Sequence, residues 1–294
     1  LNNDDRLTAP MVKQAGEWKT TDWASALEYV ARSLGQIKAE HGAASIGALA
    51  SSHSTVEELH LLAKLVRGLG SDNIDHRLRH REFSAAAPGS ARWLGGSIAE
   101  LTTAKRVLVV GSFLRKDHPL FAQRLRQACK HGAQVHSLNA VHDDWLMPVA
   151  NNLTVDPSRW VAELAGIAAA LASSAQVAAP VDTEASEPAA AIAASLASGE
   201  GKWILLGNAA AQHPQAAELL ALANWIGKQT GAKVGFLGEA ANDVGAQLVG
   251  ALPQADGKNA SAMLDGSLQA LLMLNLEPQL DSDDAPALMK AIAA

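Results

Sequence analysis

The most highly charged stretch of the chain is HRLRHRE, residues 76–82. His76 and His80 stand one helical turn apart, the spacing that puts two imidazoles on one face to hold a metal. Arg77, Arg79 and Arg81 surround them, and that positive field opposes a divalent cation. It suits a phosphate or the acidic surface of a partner better. The plainer reading is a solvated or interfacial loop whose arginines pair with carboxylates such as Glu82.

A second set lies in GSFLRKDHP, residues 111–119. Lys116, Asp117 and His118 follow the carboxyl end of a strand pattern, the place where open α/β sheets put ligands. Asp117 before Pro119 is equally a helix cap, and Arg115 and Lys116 can pair locally. A dinucleotide here needs a glycine-rich turn against its diphosphate and an acid at the end of the next strand for the ribose. The loop has one glycine followed by bulky Phe113 and Leu114, and the next strand ends at Asn139. The later loop GNAAAQHP again has one glycine, so both read as sheet-edge loops. GEGKW (199–203) has the wrong order for a phosphate loop, because Lys202 precedes a strand and Trp203 stands where Ser or Thr belongs. Neither Ser54 nor Ser112 sits in a G-x-S-x-G elbow. HDD (142–144) is a possible metal set or a solvated loop. Cys129, inside a helix pattern, reads as a small packed hydrophobe. No catalytic, cofactor-binding or metal-binding residue is assigned from these patterns.

The elements that must position these groups alternate. Residues 6–13 read as extended. TDWASALEYVARSLGQIKAEHG has apolar residues at helical spacing with Asp22 as N-cap and Gly42 at its end. ASIGALAS (44–51) is a buried strand, and a capping-box pattern at Ser54 and Glu57 opens a helix ended by Gly70. RVLVVG (106–111), helix 119–132 and AQVHSLNA (133–140) form strand, helix and strand. Asp156 and Pro157 open a helix over 156–172. Residues 173–201 are low-complexity Ala, Ser and Pro with one Ala-rich helix near 188–198. WILLGN (203–208), helix 214–229, KVGFLGE (233–239), a helix over 240–250 and QALLMLNLEP (269–278) complete the series. Apolar strands alternating with helices predict βαβ units, parallel strands and right-handed crossovers, arranged as two Rossmann-like layers.

The 294 residues suffice for one large domain or two ordinary ones, each with its own core. The chain is 48% hydrophobic and 18% charged, with net charge −6, so a broad nucleic-acid surface is not expected. One cysteine, Cys129, excludes an internal disulfide and a multi-thiolate iron–sulfur cluster within these residues. No apolar run reaches the ~18 residues of a membrane span. LNNDDRL lacks an initiator Met and a signal stretch. SDDAPALMKAIAA opens a helix at Asp284 and Pro286 without a C-cap. Both ends therefore read as internal to a longer polypeptide.

RLTAPMVK followed by GEWKTTDWASALEYVA resembles the entry to the molybdopterin oxidoreductase fold, and VLVVGSFLRKDHPLFAQRLRQACKHGAQV resembles a later strand–helix–strand of that family. GSFLRKDHP with AQRLRQA, the stretch LLGNAAAQHPQAAELLALANWIGKQTGAKVGFLGEAANDVGA, and LMLNLEPQLD more narrowly resemble the large iron–sulfur subunit of bacterial NADH–quinone oxidoreductase (complex I). The resemblance implies two Rossmann-like αβα domains with mainly parallel sheets. Residues 1–75 and 200–294 would form a discontinuous first domain, 76–172 a second, and 173–199 a mobile linker.

It further implies a cofactor-free structural part of that subunit, which supports electron transfer from NADH to quinone. The iron–sulfur clusters would lie in N-terminal segments outside this sequence. The partners would be other peripheral-arm subunits, on the cytoplasmic side of the inner membrane and without membrane insertion. Active relatives ligate molybdenum through Cys, selenocysteine, Ser or Asp in the region that here reads NIDHRLRHREFSAAAPG. Asp75 and Ser84 are the only candidates to take that role, and arginine cannot. The resemblance therefore reads as a vestigial pocket. The alternative is part of an active, formate-dehydrogenase-like enzyme binding a pyranopterin guanine dinucleotide, its phosphates clasped by HRLRHRE and the 112–118 loop.

Overall fold

The computed structural model describes residues 6–83 and 92–293. Chain order begins β1 (Met11–Gln14), β2 (Glu17–Thr20), α1 (Trp23–His41), β3 (Ile46–Ala50), α2 (Val56–Leu69) and β4 (Ile74–Asp75). Next come β5 (Arg106–Val110), α3 (Leu114–Asp117), α4 (Pro119–Lys130), β6 (Gln134–Asn139), β7 (Asn151–Thr154), α5 (Trp160–Ala175) and α6 (Glu187–Ala197). The last are β8 (Lys202–Leu206), α7 (Asn208–Ala211), α8 (Ala216–Thr230), β9 (Lys233–Phe236), α9 (Asp243–Leu248), β10 (Ala270–Leu274), α10 (Pro278–Asp281) and α11 (Ala285–Ala293).

The chain divides into two compact units. The first contains 1–51, 56–78 and 249–294, and the second contains 52–55 and 79–248. In the first, a three-stranded parallel sheet runs in the order β10-β3-β4. All five residues of β3 are buried, as expected for the central strand of a parallel sheet. Leu59, Ala63 and Val66 of α2 form the buried stripe of that helix. The β1–β2 hairpin turns at Ala15 and Gly16, both at positive φ (50° and 86°), as a two-residue hairpin turn requires. Of the extended stretch 6–13, only 11–13 belong to a strand, β1, and its hairpin partner EWKT is an element that the extended reading did not separate.

The second unit is a five-stranded parallel sheet in the order β7-β6-β5-β8-β9. One core cluster joins the inner faces of β5, β6 and β8 to α5, α6 and α8 through Leu108, Leu138, Ile204, Leu164, Ile192 and Leu219. Another, on the opposite face, is built on Val107, Val109, Leu125, Trp203 and Leu205. Helices on both faces of a parallel sheet define a three-layer αβα arrangement, so the expected fold class is found.

The domain boundaries differ from those expected. β8 pairs with β5 over five register positions and β9 pairs with β8, so residues 200–248 join the second unit. Residues 52–55 join it too, since Asn242 donates from its backbone to Ser52 O (3.0 Å) and from Nδ2 to Ser54 O (2.7 Å). The expected 173–199 linker also shrinks. α5 continues to Ala175, and α6 buries Ala189, Ile192, Ala193 and Leu196. Only 176–186 connects them.

Candidate functional site

In the second unit the chain moves from β5 outward to β6 and β7, then returns to the other side of β5 with β8. The loops leaving β5 and β8 therefore diverge at a topological switch point, where doubly wound sheets bind ligands. Gly111 and Ser112 follow β5; Gly207 and Asn208 follow β8.

These loops are knitted together. Gly111 N–H donates to Leu138 O (2.9 Å), Gly207 N–H to Val110 O (2.8 Å) and Ala209 N–H to Gly111 O (3.0 Å). Asn139, standing where a ribose-binding acid was sought, donates from Nδ2 to Ser112 O (2.9 Å). Gly111 has φ +62°, and a Cβ there would meet Ala210 N at 2.6 Å. A Cβ on Gly207 would lie 2.3 Å from Ser112 Cβ. Both glycines serve close packing of protein on protein, not an open backbone cradle.

Three buried polar atoms at these loops have no hydrogen-bond partner among the described residues: Ser112 Oγ, His118 Nδ1 and Asn208 Oδ1. His118 caps the start of α4 and is hydrogen-bonded through Nε2 to Gly238 O at 2.8 Å. Because a carbonyl only accepts, Nε2 carries the proton and Nδ1 is left as a bare acceptor. A buried unpaired polar atom costs roughly 1–3 kcal/mol. The hydroxyl, amide oxygen and imidazole nitrogen together offer one donor and two or more acceptors to a polar ligand. In chemical type, though not in any shared geometry, these groups match the heterocyclic and hydroxyl groups of a pyranopterin guanine dinucleotide. A glycine cradle for its diphosphate is not formed here.

The other sequence candidates fall apart from this place. Asp75 is fully buried. Its carboxylate accepts from the backbone N–H of His76, Arg77 and Ala260 and from Arg77 Nε and Nη2, both at 2.9 Å. A carboxylate so used is no metal ligand. His76 is buried with Nδ1 2.9 Å from Ala251 O, so HRLRHRE begins as structural scaffold of the first unit. Ser84 lies outside the described residues. Asp117 closes the short helix α3 and does not cap α4, whose N-cap is His118. Cys129 is half-buried, and burial pushes its thiol up. In HDD, Asn152 Nδ2 lies 2.7 Å from His142 Nδ1, while Asp143 and Asp144 accept local backbone N–H groups. Lys202 begins β8, as the strand reading requires, and donates to Thr230 O (2.8 Å). Among the described residues no group of three or more His, Cys, Asp or Glu is placed to hold a metal.

A Ser–His contact escaped the sequence reading. His136 Nε2 lies 2.8 Å from Ser195 Oγ, and Ser195 donates to Gln134 Oε1 (2.8 Å). Asn151 Nδ2 lies 3.1 Å from His136 Nδ1. Nδ1 therefore accepts, and Nε2–H donates to the serine. An imidazole holding that proton cannot act as the serine's base, so the contact is a strut between β6 and α6 rather than an acyl-transfer site. Burial, with Arg106 adding to it, lowers the His136 pKa to about 4.

The strand order and the loops that diverge beside β5 define a doubly wound α/β protein. Residues 6–293 match the Molybdopterin oxidoreductase model, and the chain belongs to that family. It is 34% identical over 143 residues to a Staphylococcus aureus (strain MRSA252) protein provisionally named a formate dehydrogenase. It is 32% identical over 136 residues to YjgC of Bacillus subtilis (strain 168), provisionally named an oxidoreductase. These alignments cover 46% and 44% of this chain, and 14% of each relative. The fold is similar to that of a chain in the formyltransferase/hydrolase complex of Methylorubrum extorquens, with a TM-score of 0.52 at 17% identity, covering 78% of this chain and 60% of that one. The narrower likeness to the large iron–sulfur subunit of complex I is not what these relatives carry in their names. No helix among the described residues is long and apolar enough to cross a membrane.

Proposed function

We propose that this chain is part of a longer, formate-dehydrogenase-like molybdopterin oxidoreductase. In this reading the second unit frames one side of a pyranopterin guanine dinucleotide. The observation that carries it is the trio Ser112 Oγ, His118 Nδ1 and Asn208 Oδ1, buried without partners among the described residues at the switch point of a chain that belongs to this family. The names of the relatives support the same direction. When bound, that cofactor supplies the metal-centred redox chemistry. The chain's own residues orient its polar rim: Ser112 donates or accepts, while His118 Nδ1 and Asn208 Oδ1 accept from ring or amino N–H groups. The metal's protein ligand and the electron relay would come from elsewhere in the longer protein.

A second reading rests on a different observation. Gly111 and Gly207 are closed by protein, and Asp75 is spent on Arg77. Both suit the cofactor-free structural part of a large iron–sulfur subunit of complex I, docked on peripheral-arm subunits and active only within that assembly.

One experiment separates the two. The full-length protein is purified, its molybdenum and tungsten are measured, and released pterin is read by fluorescence. The first reading expects stoichiometric metal and pterin together with formate-dependent dye reduction, and expects a double Ser112→Val, Asn208→Leu variant to lose pterin while remaining folded. Full-length protein with iron–sulfur absorbance, no metal of this kind and no pterin would overturn it in favour of the second.

A further inference from the structure

The strand β10 is the odd edge of the molecule. Its sequence, ALLML, is apolar throughout, yet none of its five residues is buried, and Met273 is 43% exposed. Its neighbour β3 is buried along its whole length. β10 closes the order β10-β3-β4, with β3 as its strand partner among the described residues. A strand in that position presents a row of outward backbone N–H and C=O groups.

The other sheet ends are covered or polar. β4 is overlaid by 257–260, where Lys258 N–H donates to Asn73 Oδ1 and Ala260 N–H to Asp75 Oδ2. Trp93 lies along β9, its carbonyl accepting from Phe236 N–H at 2.8 Å. β7 is polar at Asn151, Asn152 and Thr154. Edge strands are normally blunted by lysine, proline or a bulge, and β10 has none of these. In the same unit α11 is also thinly covered: it buries only Leu288 and leaves Met289 and Ile292 each 40% exposed.

We propose that the outer edge of β10 is a docking edge, filled by a further β-strand from the same, longer polypeptide. A strand is the occupant that satisfies a row of alternating donors and acceptors. The same polypeptide is its source because the 143 aligned residues make up 14% of the Staphylococcus aureus relative, which is therefore about 1,000 residues long. That leaves ample chain to supply one strand. With it in place, Leu271 to Leu274 become interior residues, as β3 already is. This inference does not depend on which cofactor reading is right.

The test is hydrogen exchange on the full-length protein, read for the peptide over 269–275 against that over 45–50. The expected result is comparable slow exchange in the two peptides, unchanged on tenfold dilution, and about tenfold faster exchange at 269–275 in a Met273→Asp variant. A Met273→Leu variant should keep the slow exchange, which separates loss of docking from general unfolding. Fast exchange at 269–275 in the full-length protein overturns the proposal. Protection that disappears on dilution, together with a dimer in sedimentation, overturns it as well, because the occupant would then be a second copy.

Discussion

His136 makes the stability of the protein depend on pH in a calculable direction. Its folded pKa is about 4, against 6.5 for the free side chain. Above pH 6.5 both folded and unfolded forms are neutral, and the histidine contributes nothing to the pH slope. As pH falls from 6.5 toward 4, the unfolded chain takes up a proton that the folded chain refuses, so stability falls. Below 4 both are protonated and the loss is complete, at roughly 3 kcal/mol. Urea unfolding followed from pH 7 to pH 4 should show this decline, and a His136→Gln variant should flatten it. Arg77 carries a different cost. Arg77→Met leaves the Asp75 carboxylate buried without its cation, and should destabilise by about 3–5 kcal/mol in the same assay. Gly207→Ala drives a methyl into Ser112 Cβ and Gly111 O. Such overpacking costs about 1–3 kcal/mol, and it should act by lowering the denaturant midpoint at unchanged slope. Caps were readable at this scale because they are local: Asp22, Asp156 and Asp284 each accept from a backbone N–H two or three residues on. The His136–Ser195–Gln134 network was not, because its members are 59 and 61 residues apart and no short-range pattern links them.

At the scale of elements, the strand–helix alternation was legible wherever apolar runs were bounded by Gly, Pro or Asp. Parallel pairing followed from it for every strand from β3 on, while the antiparallel β1–β2 hairpin did not. What stayed hidden was which sheet each strand joins. WILLG looks like any buried parallel strand, and only the crossover carried by α5 and α6 delivers it beside β5. That crossover is also where the low-complexity reading misled. Alanine-rich sequence resembles a linker, yet small side chains let α6 lie close to α5: a Cβ placed on Gly166 of α5 would meet the Ala185 backbone at 3.4 Å and Ala189 Cβ at 3.7 Å. α6 is further pinned at its start, where Ser186 donates to Glu163 Oε2 (3.1 Å) and Glu163 pairs with Arg159 (2.9 Å). If α6 is core rather than linker, Ile192→Ala should cost about 2–5 kcal/mol. If it were a tethered surface helix, the change would be close to silent in thermal unfolding.

For the whole molecule, the same topology makes a prediction about cleavage. The connection over 176–184 is largely exposed, with Val177 and Val181 each more than 40% accessible, and it holds no helix or strand. Exposed segments of small residues are where proteases cut first. Elastase, which takes Ala and Val, should therefore nick there before it reaches the Ala-rich helices on either side. The nick should not divide the molecule. Downstream of it lie α6, buried in the core cluster with α5, and β8, hydrogen-bonded to β5 along five register pairs. Opening one surface loop removes only chain connectivity, while those strand pairs and the shared core stay buried. The nicked protein should elute from gel filtration at the position of the intact chain and separate into two fragments only in denaturant. Fragments that part under native conditions would show that β8 and α6 are not held as the sheet order β7-β6-β5-β8-β9 requires.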